Sequence, residues 1–292
     1  MSAAAPGPRR RPATQSAEGL PLPHASVCAR LRAVLAVAVP PLLVFVAFIV
    51  AWLLGSEVLL SPSKRFLLPP PQDVVSVGLL DAGNASEIFG GLWLTAKAAM
   101  LGFALSIVIG MSVAIAMAQA SWIERSIFPY AVVLQTIPIL ALVPLVGFTL
   151  GYDFTSRVLV VVLIALFPVI TNTLFGLLSV DRGLHDLFTL HDATRWGRLT
   201  KLQLPAALPA IFVGLRIAAG ASVIGAVVGD FFFTQGQPGI GVLINLYSAQ
   251  LQSERLYAAV IVAALLGIVV FVAVGLLNRL TVGRWHTDTR AR

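Results

Sequence analysis

Charge is what this 292-residue sequence lacks most: Asp, Glu, Lys and Arg together make up 11% of it, against roughly 25% in a soluble domain. Hydrophobic residues make up 58%, and the mean hydropathy is +0.91. So little polar surface cannot cover a water-soluble globule of this size, which excludes a soluble enzyme, a nucleic-acid-binding domain and a disordered chain. The net charge of +7 does not reopen the nucleic-acid reading, because basic residues also decorate the cytoplasmic ends of membrane helices. Cysteine occurs once, at Cys28, so an internal disulfide framework and a thiolate metal cluster are excluded. None of Lys64, Lys97 and Lys201 is followed by Ser or Thr, so no phosphate-cradling loop occurs and no ATP hydrolysis is expected of this chain. His-Glu-x-x-His and Gly-x-Ser-x-Gly are absent too. His185 and His191 stand about 240° apart around a helix, which points them to different faces and argues against a metal site. No cofactor and no catalytic residue is expected.

What the sequence does have is long apolar runs. Crossing about 30 Å of hydrocarbon takes roughly 20 helical residues. Uncharged stretches of that order cover residues 33–56, 98–123, 126–152, 158–180 and 256–278. A sixth, residues 210–233, carries Arg216 and Asp230 near its ends. These predict an all-α membrane protein with six transmembrane helices. The run from Val158 to Val169 does not alternate in polarity, as a transmembrane β-strand would. Fourteen basic residues, including Arg9 to Arg11, Arg182, Arg195, Arg198, Lys201 and Arg279, flank one side. Lys64, Arg65, Arg157 and Arg255 flank the other. The positive-inside rule then puts both termini and the 181–207 loop in the cytoplasm.

The predicted organisation is a disordered basic tail (1–32), a first transmembrane helix (33–56) and an external connection (57–91). A core with five spans follows (92–280), and then a short cytoplasmic tail (281–292). The third span carries Pro129, Pro138 and Pro144, each removing a backbone donor, and is expected to be a kinked helix packed inside a bundle. Residues 234–254 read as an outward loop or a partly re-entrant segment. Asp230 is the only acidic residue near membrane depth. It is expected to be held by an internal hydrogen bond or a cation, and to shape an external gate. Arg216 is expected to snorkel to the cytoplasmic headgroups or to touch the loop before its span.

In the 181–207 loop, Leu184, Leu187, Phe188 and Leu190 form an apolar stripe beside Asp186, His191 and Asp192. A second short helix follows through Trp196 and Leu199, with Arg195 and Arg198 interspersed. Such a helix can lie in the headgroup layer or insert into a groove on another protein.

This loop resembles the EAA loop of binding-protein-dependent ABC importer permeases, whose pattern is roughly Glu-Ala-Ala, three residues, Gly, then a run ending in Leu-Pro. Counted back from Leu204-Pro205, Asp186 takes the Glu position, Leu187-Phe188 the Ala-Ala and Asp192 the Gly. Asp192 suits that place because Asp tolerates left-handed backbone geometry better than most residues. Ile127-Phe-Pro-Tyr, Thr136-Ile-Pro-Ile, Phe167-Pro-Val-Ile-Thr-Asn-Thr, Gly214-Leu-Arg-Ile-Ala-Ala and Gly229-Asp-Phe extend the likeness over about residues 66–280. They are similar to the nitrate, sulfonate and taurine permeases, a group that includes hydroxymethylpyrimidine and riboflavin types.

The resemblance implies a type I ABC importer permease fold. It implies a second, identical permease chain, two ATP-binding subunits, an external substrate-binding protein and a place in the lipid of the inner membrane. It assigns coupling to the ATPase to Leu184, Asp186, Leu187, Phe188, His191, Asp192, Ala193, Arg195 and Trp196. Residues expected along the translocation pathway are Gln135, Thr136, Pro138, Asn172, Thr173, Ser222 and Asp230. The substrate is expected to be a small organic anion or a vitamin or cofactor precursor. An ion-coupled secondary transporter and a passive channel are the alternatives, the first disfavoured by the scarcity of midplane carboxylates.

Overall fold

The computed structural model describes residues 27–281. Most of the expected N-terminal tail and nearly all of the C-terminal one fall outside the described residues. The chain divides at Ala51–Trp52 into two units. In the first, residues 27–51 belong to helix α1 (Val27–Leu54), which begins before Ala33, the expected start of the first span.

In the second unit a short helix α2 (Pro71–Val75) starts on a proline with Asp73 in its first turn, as the Pro-Pro-Pro-Gln-Asp text predicts. Helix α3 (Ala82–Gln119) is capped by Asp81, whose carboxylate accepts from the Asn84 amide at 2.9 Å. It starts well before residue 98, inside the stretch expected to be an external connection. Its 38 residues reach about 57 Å, more than the hydrocarbon needs. Lys97, whose charge marks the expected edge of the span, sits within the helix, exposed, with its Nζ 5.9 Å from the Trp93 ring centroid.

The third expected span is not one helix. α4 (Ser121–Thr136) and α5 (Ile139–Leu150) meet at an angle of 99°. The break falls at Pro138, which has no N–H to give to the preceding turn. Nor does this pair pack inside the bundle: α4 buries only Ala131, and α5 buries Val143 and Gly147.

Helix α6 (Phe154–Leu178) is capped by Asp153, which accepts from the Thr155 and Ser156 amides at 3.0 and 3.3 Å. Arg157 therefore lies in its first turn, not in the outward loop to which its charge assigned it. After α7 (Arg182–Leu190) comes α8 (Arg195–Arg198), which runs through a wider turn at Leu199–Gln203 into α9 (Leu204–Phe232). Together they form one helical span, Arg195–Phe232, so the loop expected to reach residue 207 ends much earlier. Leu199, Leu202 and Gln203 are already buried. The Leu204-Pro205 pair leaves the helix unbroken. Helix α10 (Ile240–Ala249) is too short to cross, and α11 (Ser253–Thr281) crosses again.

Among the described residues five single helices are thus long and apolar enough to span, and the bent α4–α5 pair is the candidate for a sixth. Among the described residues there is no strand. The core lies where α6 packs along α9 and against α3, around Phe103, Val161, Ala165, Val169, Ala219 and Val223. Small residues let these backbones close up, as membrane helices require. A Cβ at Gly214 would lie 2.6 Å from Asn172 Cβ and 2.8 Å from the Pro168 carbonyl oxygen.

Candidate functional site

Three places in the second unit stand out: a buried polar cluster, an open cavity and an exposed amphipathic helix.

The cluster forms where the start of α6 meets the end of α9. Arg157 Nη1 stands 3.3 Å from Asp230 Oδ1, with the side chains 1% and 0% exposed. Such a pair is tolerable at membrane depth only if its remaining polar atoms are met. Thr95 Oγ1 of α3 donates to Asp230 Oδ2 at 2.5 Å and accepts from the Ile240 amide at 2.8 Å. The Gly241 amide donates to Asp230 Oδ2 at 3.3 Å. Arg157 Nε and Nη2 donate to the Phe233 carbonyl at 3.1 and 2.6 Å, and Nη2 also to the Gln235 and Gln237 carbonyls at 3.4 and 3.3 Å. A Cβ on Gly239 would collide with the Asp230 carboxylate, so the chain before α10 passes directly over it. Asp230 is therefore held by both a cation and a hydrogen bond.

Sequence reasoning missed Thr95 and Arg157 as members of this cluster. The available signal is depth: Arg157 opens one apolar run and Asp230 closes another, which places opposite charges at the same level. The guanidinium carbon of Arg216 lies 4.2 Å from the Phe271 ring centroid on α11, against Gly275.

The cavity, of about 340 Å³, opens beside the α4–α5 break. Its lining includes Gln135, Ile137, Ile164, Phe167, Pro168 and Ile224. Of the expected pathway residues, Gln135 lines it, and Thr136 and Pro138 flank the break; Thr136 Oγ1 donates to the Val133 carbonyl at 3.0 Å. Asn172 donates to the Pro168 carbonyl at 2.9 Å within α6. Thr173 and Ser222 are buried, Ser222 donating to Ala219 O at 2.7 Å. The structure does not gather these residues into one site.

The exposed helix is α7. Asp181 caps it, accepting from the Gly183 amide at 2.7 Å. Among its residues none is buried, and Leu190, 81% exposed, stands out into solvent with Leu184 and Leu187. At its end Asp192 takes φ 48°, the left-handed geometry expected at the glycine-like position. That turn lets the Ala193 amide donate to the Phe188 carbonyl at 3.0 Å, and Arg198 Nη2 ties α8 back to Thr189 Oγ1 at 3.0 Å. A hollow of about 490 Å³ between the two helices is lined by Leu187, Phe188, His191, Ala193, Thr194, Gly197 and Lys201. Trp196 is 71% exposed. Asp186 and Arg195 are also at the surface beside these apolar groups. An apolar patch of this kind with a charged border suits the headgroup layer or a groove on another macromolecule.

Over 237 residues the chain is 34% identical to the formylaminopyrimidine transport permease protein of Halalkalibacterium halodurans, covering 81% of this chain and 92% of that one. It is 32% identical over 240 residues to the riboflavin transport system permease protein of Chloroflexus aurantiacus, covering 82% and 87%. To a putative aliphatic sulfonates transport permease protein of Bacillus subtilis it is 30% identical over 201 residues, covering 69% and 72%. Residues 106–283, from within α3 to just past α11, match the family model for the binding-protein-dependent transport system inner membrane component. With its apolar spans and its exposed helix between α6 and α9, the chain belongs to that family of multi-pass ABC importer permeases.

Proposed function

We propose that this chain is the translocating subunit of an ATP-driven importer, working as a pair of identical chains with two ATP-binding subunits and an external substrate-binding protein. Both termini and α7 face the cytoplasm, and the Arg157–Asp230 cluster faces outward. The observation that carries the reading is the exposed apolar face of α7 with Trp196 of α8, joined to the span Arg195–Phe232. In this reading Leu184, Asp186, Leu187, Phe188, His191, Asp192, Ala193, Arg195 and Trp196 meet a cleft of the ATPase. A displacement at Trp196 is carried along a stiff helix for about 50 Å to Asp230. ATP-driven approach of the two ATPases draws the two α7 helices together and opens the pathway outward; hydrolysis reopens it inward.

The second chain is supported by the exposure of α4 and α5, where Val133, Leu134, Leu140, Leu145 and Phe148 lack cover within this chain. The pathway runs past Gln135, Thr136 and Pro138 at the break, with Asp230 at the outer gate; Asn172, Thr173 and Ser222, expected on it from the sequence, are turned to contacts within α6 and α9. The solute is a small organic anion or a vitamin precursor of pyrimidine or riboflavin type, by analogy with the relatives' names.

Affinity purification of the chain from its native membrane tests this reading, with reconstitution into proteoliposomes. Co-purification of an ATPase and solute uptake that needs ATP are expected. Uptake driven by an ion gradient without ATP, or down a gradient without either, would replace it with a secondary transporter or a channel.

A further inference from the structure

The exposed helices join the span through the wide turn Leu199–Gln203, where the Leu204 amide donates to the Leu199 carbonyl, five residues back, instead of to the Thr200 carbonyl. The turn holds one residue more than a regular helix, a feature that recurs at functional sites. What this does to the faces of the helix follows from a rotation of about 100° per residue. Counted back from the buried Ala207, an unbroken helix would bring Thr200 and Trp196 within about 20° of the buried face and leave Leu199 about 80° off it. The structure has the opposite arrangement. Leu199 is buried with Leu177, Ala207 and Ile211, while Thr200 and Trp196 are exposed. The extra residue has turned the chain before it by about 100°.

On either side of the turn the chain is tied into a different body. Arg198 Nη2 donates to Thr189 Oγ1, and the Ala193 amide to the Phe188 carbonyl, each at 3.0 Å, so α7 and α8 move together. Beyond the turn, the Oε1 of buried Gln203 accepts from Gln119 Nε2 at the end of α3, at 3.4 Å. A Cβ on Gly176 of α6 would lie 3.0 Å from the Ala207 carbonyl oxygen, so α9 is held closely there too. Between the two bodies Thr200 and Lys201 are exposed, and Pro205 has no amide to give to the Lys201 carbonyl four residues back.

This leaves a second register within reach. Passing the extra residue back toward the 191–194 turn exchanges one helical bond for another and turns α7 and α8 by about 100° against α9. Thr200 then takes the place of Leu199. Its hydroxyl already donates to the Trp196 carbonyl at 2.9 Å, so it can enter an apolar setting without an orphaned donor. Leu199 leaves the core in exchange, which is unfavourable. The observed register carries a cost of its own, because Arg198 Nε is buried with no acceptor among the described residues. The free chain therefore rests as observed, and the exchange needs work from outside.

We propose that the wide turn Leu199–Gln203 is a register switch, in which ATP-driven motion of the ATPase turns α7 and α8 together about the axis of α9 and exchanges Leu199 for Thr200 in the core. This rests on the importer reading and adds to it how the stroke enters the stiff part of the span.

The test uses the whole complex with its ATPase and binding protein in proteoliposomes, in a Cys28→Ser background. Leu199→Cys and Thr200→Cys, made singly, are treated with a maleimide, first without nucleotide and then with a non-hydrolysable ATP analogue. Without nucleotide Thr200→Cys should react and Leu199→Cys should be protected. With the analogue Leu199→Cys should react at least tenfold faster. A bound ATPase can cover Thr200 but cannot uncover Leu199, so the cysteine at 199 decides. Leu199→Cys equally protected, or equally reactive, in both states overturns the switch.

Deletion of Thr200 supplies a second arm. It removes the extra residue yet leaves Leu199 seven positions before Ala207, about 20° from the buried face, and makes the bond from Leu204 to Leu199 an ordinary four-residue one. The resting arrangement is kept and the exchange is lost. Melting temperature and pull-down of the ATPase should match the native chain, while the stimulation of ATP hydrolysis by the loaded binding protein falls about tenfold. A turn with a merely structural role predicts full stimulation, and that result refutes the switch. Should the deletion fail to fold or to hold the ATPase, the cysteine at 199 decides alone. Loss of the importer reading looks different, as a chain with which no ATPase purifies.

Discussion

Arg157 Nη1 and Asp230 Oδ1 face each other across 3.3 Å, one in the first turn of α6 and the other in the last turns of α9. Removing two charges from water costs more than their mutual attraction usually returns, so stability alone does not account for the pair. What it does account for is geometry. Through Arg157 it gathers the carbonyls of Phe233, Gln235 and Gln237, and through Asp230 it holds Thr95 and the start of α10. Four segments are fastened at one point, at the end of the bundle away from α7.

A single and a paired replacement separate these contributions. Asp230→Ala leaves a buried guanidinium without its partner and is expected to cost about 3–5 kcal/mol. Replacing both, as Arg157→Met with Asp230→Leu, should recover most of that stability, because no uncompensated charge remains. Thermal unfolding of the detergent-purified chain measures both. Uptake rate should stay low in the double variant, since the 233–237 turn has lost its anchor. A double variant as unstable as Asp230→Ala would show that the loss comes from the hydrogen bonds around the cluster and not from an unpaired buried charge.

The turn over this cluster is tested through Gly239. Its Cβ position is already filled by the Asp230 carboxylate, so Gly239→Ala must displace either α10 or the ion pair. Overpacking of this kind costs about 1–3 kcal/mol. A drop in melting temperature should therefore accompany Gly239→Ala and none Gly90→Ala, where a Cβ meets nothing within 4 Å and the backbone is helical. Equal stability of Gly239→Ala and the native chain would mean that the carboxylate lies elsewhere.

Apolar length makes the spans readable in the sequence, and the three prolines of the third span announce a bend. The angle of 99° is not readable, because proline removes a bond without specifying where the freed chain goes. Charge is the misleading signal. Arg157 mimics the edge of a span, yet it is buried through a pairing 73 positions away. The loop expected to reach residue 207 is cut short, because α8 runs on into α9 through a wider turn that accommodates Pro205. The left-handed turn at Asp192 is readable, because Asp is among the few residues that can replace glycine where the backbone turns left-handed.

The orientation has a direct check. Cys28→Ser removes the one native cysteine. Leu80→Cys and Leu190→Cys then place single thiols at sites whose native side chains are 75% and 81% exposed. A membrane-impermeant maleimide added to intact cells should label Leu80→Cys and leave Leu190→Cys untouched until the membrane is opened. The reverse pattern would invert the topology and move α7 to the outer face.

Docking of α7 is tested at Phe188, which lines the hollow between α7 and α8. Phe188→Asp puts a carboxylate where the proposed partner contributes apolar surface, a loss of about 2–4 kcal/mol in binding. Pull-down of the ATPase should fail while the yield of folded permease is unchanged, since α7 buries none of its residues in this chain. Retention of the ATPase at native levels would remove Phe188 from the interface.

Asp192 supplies the last and most local prediction. Its φ of 48° costs a β-branched residue far more than Asp, and costs glycine nothing. Asp192→Gly relieves that strain but frees the unfolded chain, so the two effects nearly cancel and the variant should match the native loop. Asp192→Val should open the turn, at about 1–2 kcal/mol, and with it the bond from the Ala193 amide to the Phe188 carbonyl. Hydrogen exchange at the Ala193 amide reads this without any partner present: protection should persist in Asp192→Gly and fall about tenfold or more in Asp192→Val. Since that same turn sets the angle between α7 and α8, ATPase binding should follow the order of protection. Full binding by Asp192→Val despite an unprotected amide would mean that the ATPase itself imposes the angle, and that the free chain need not hold it.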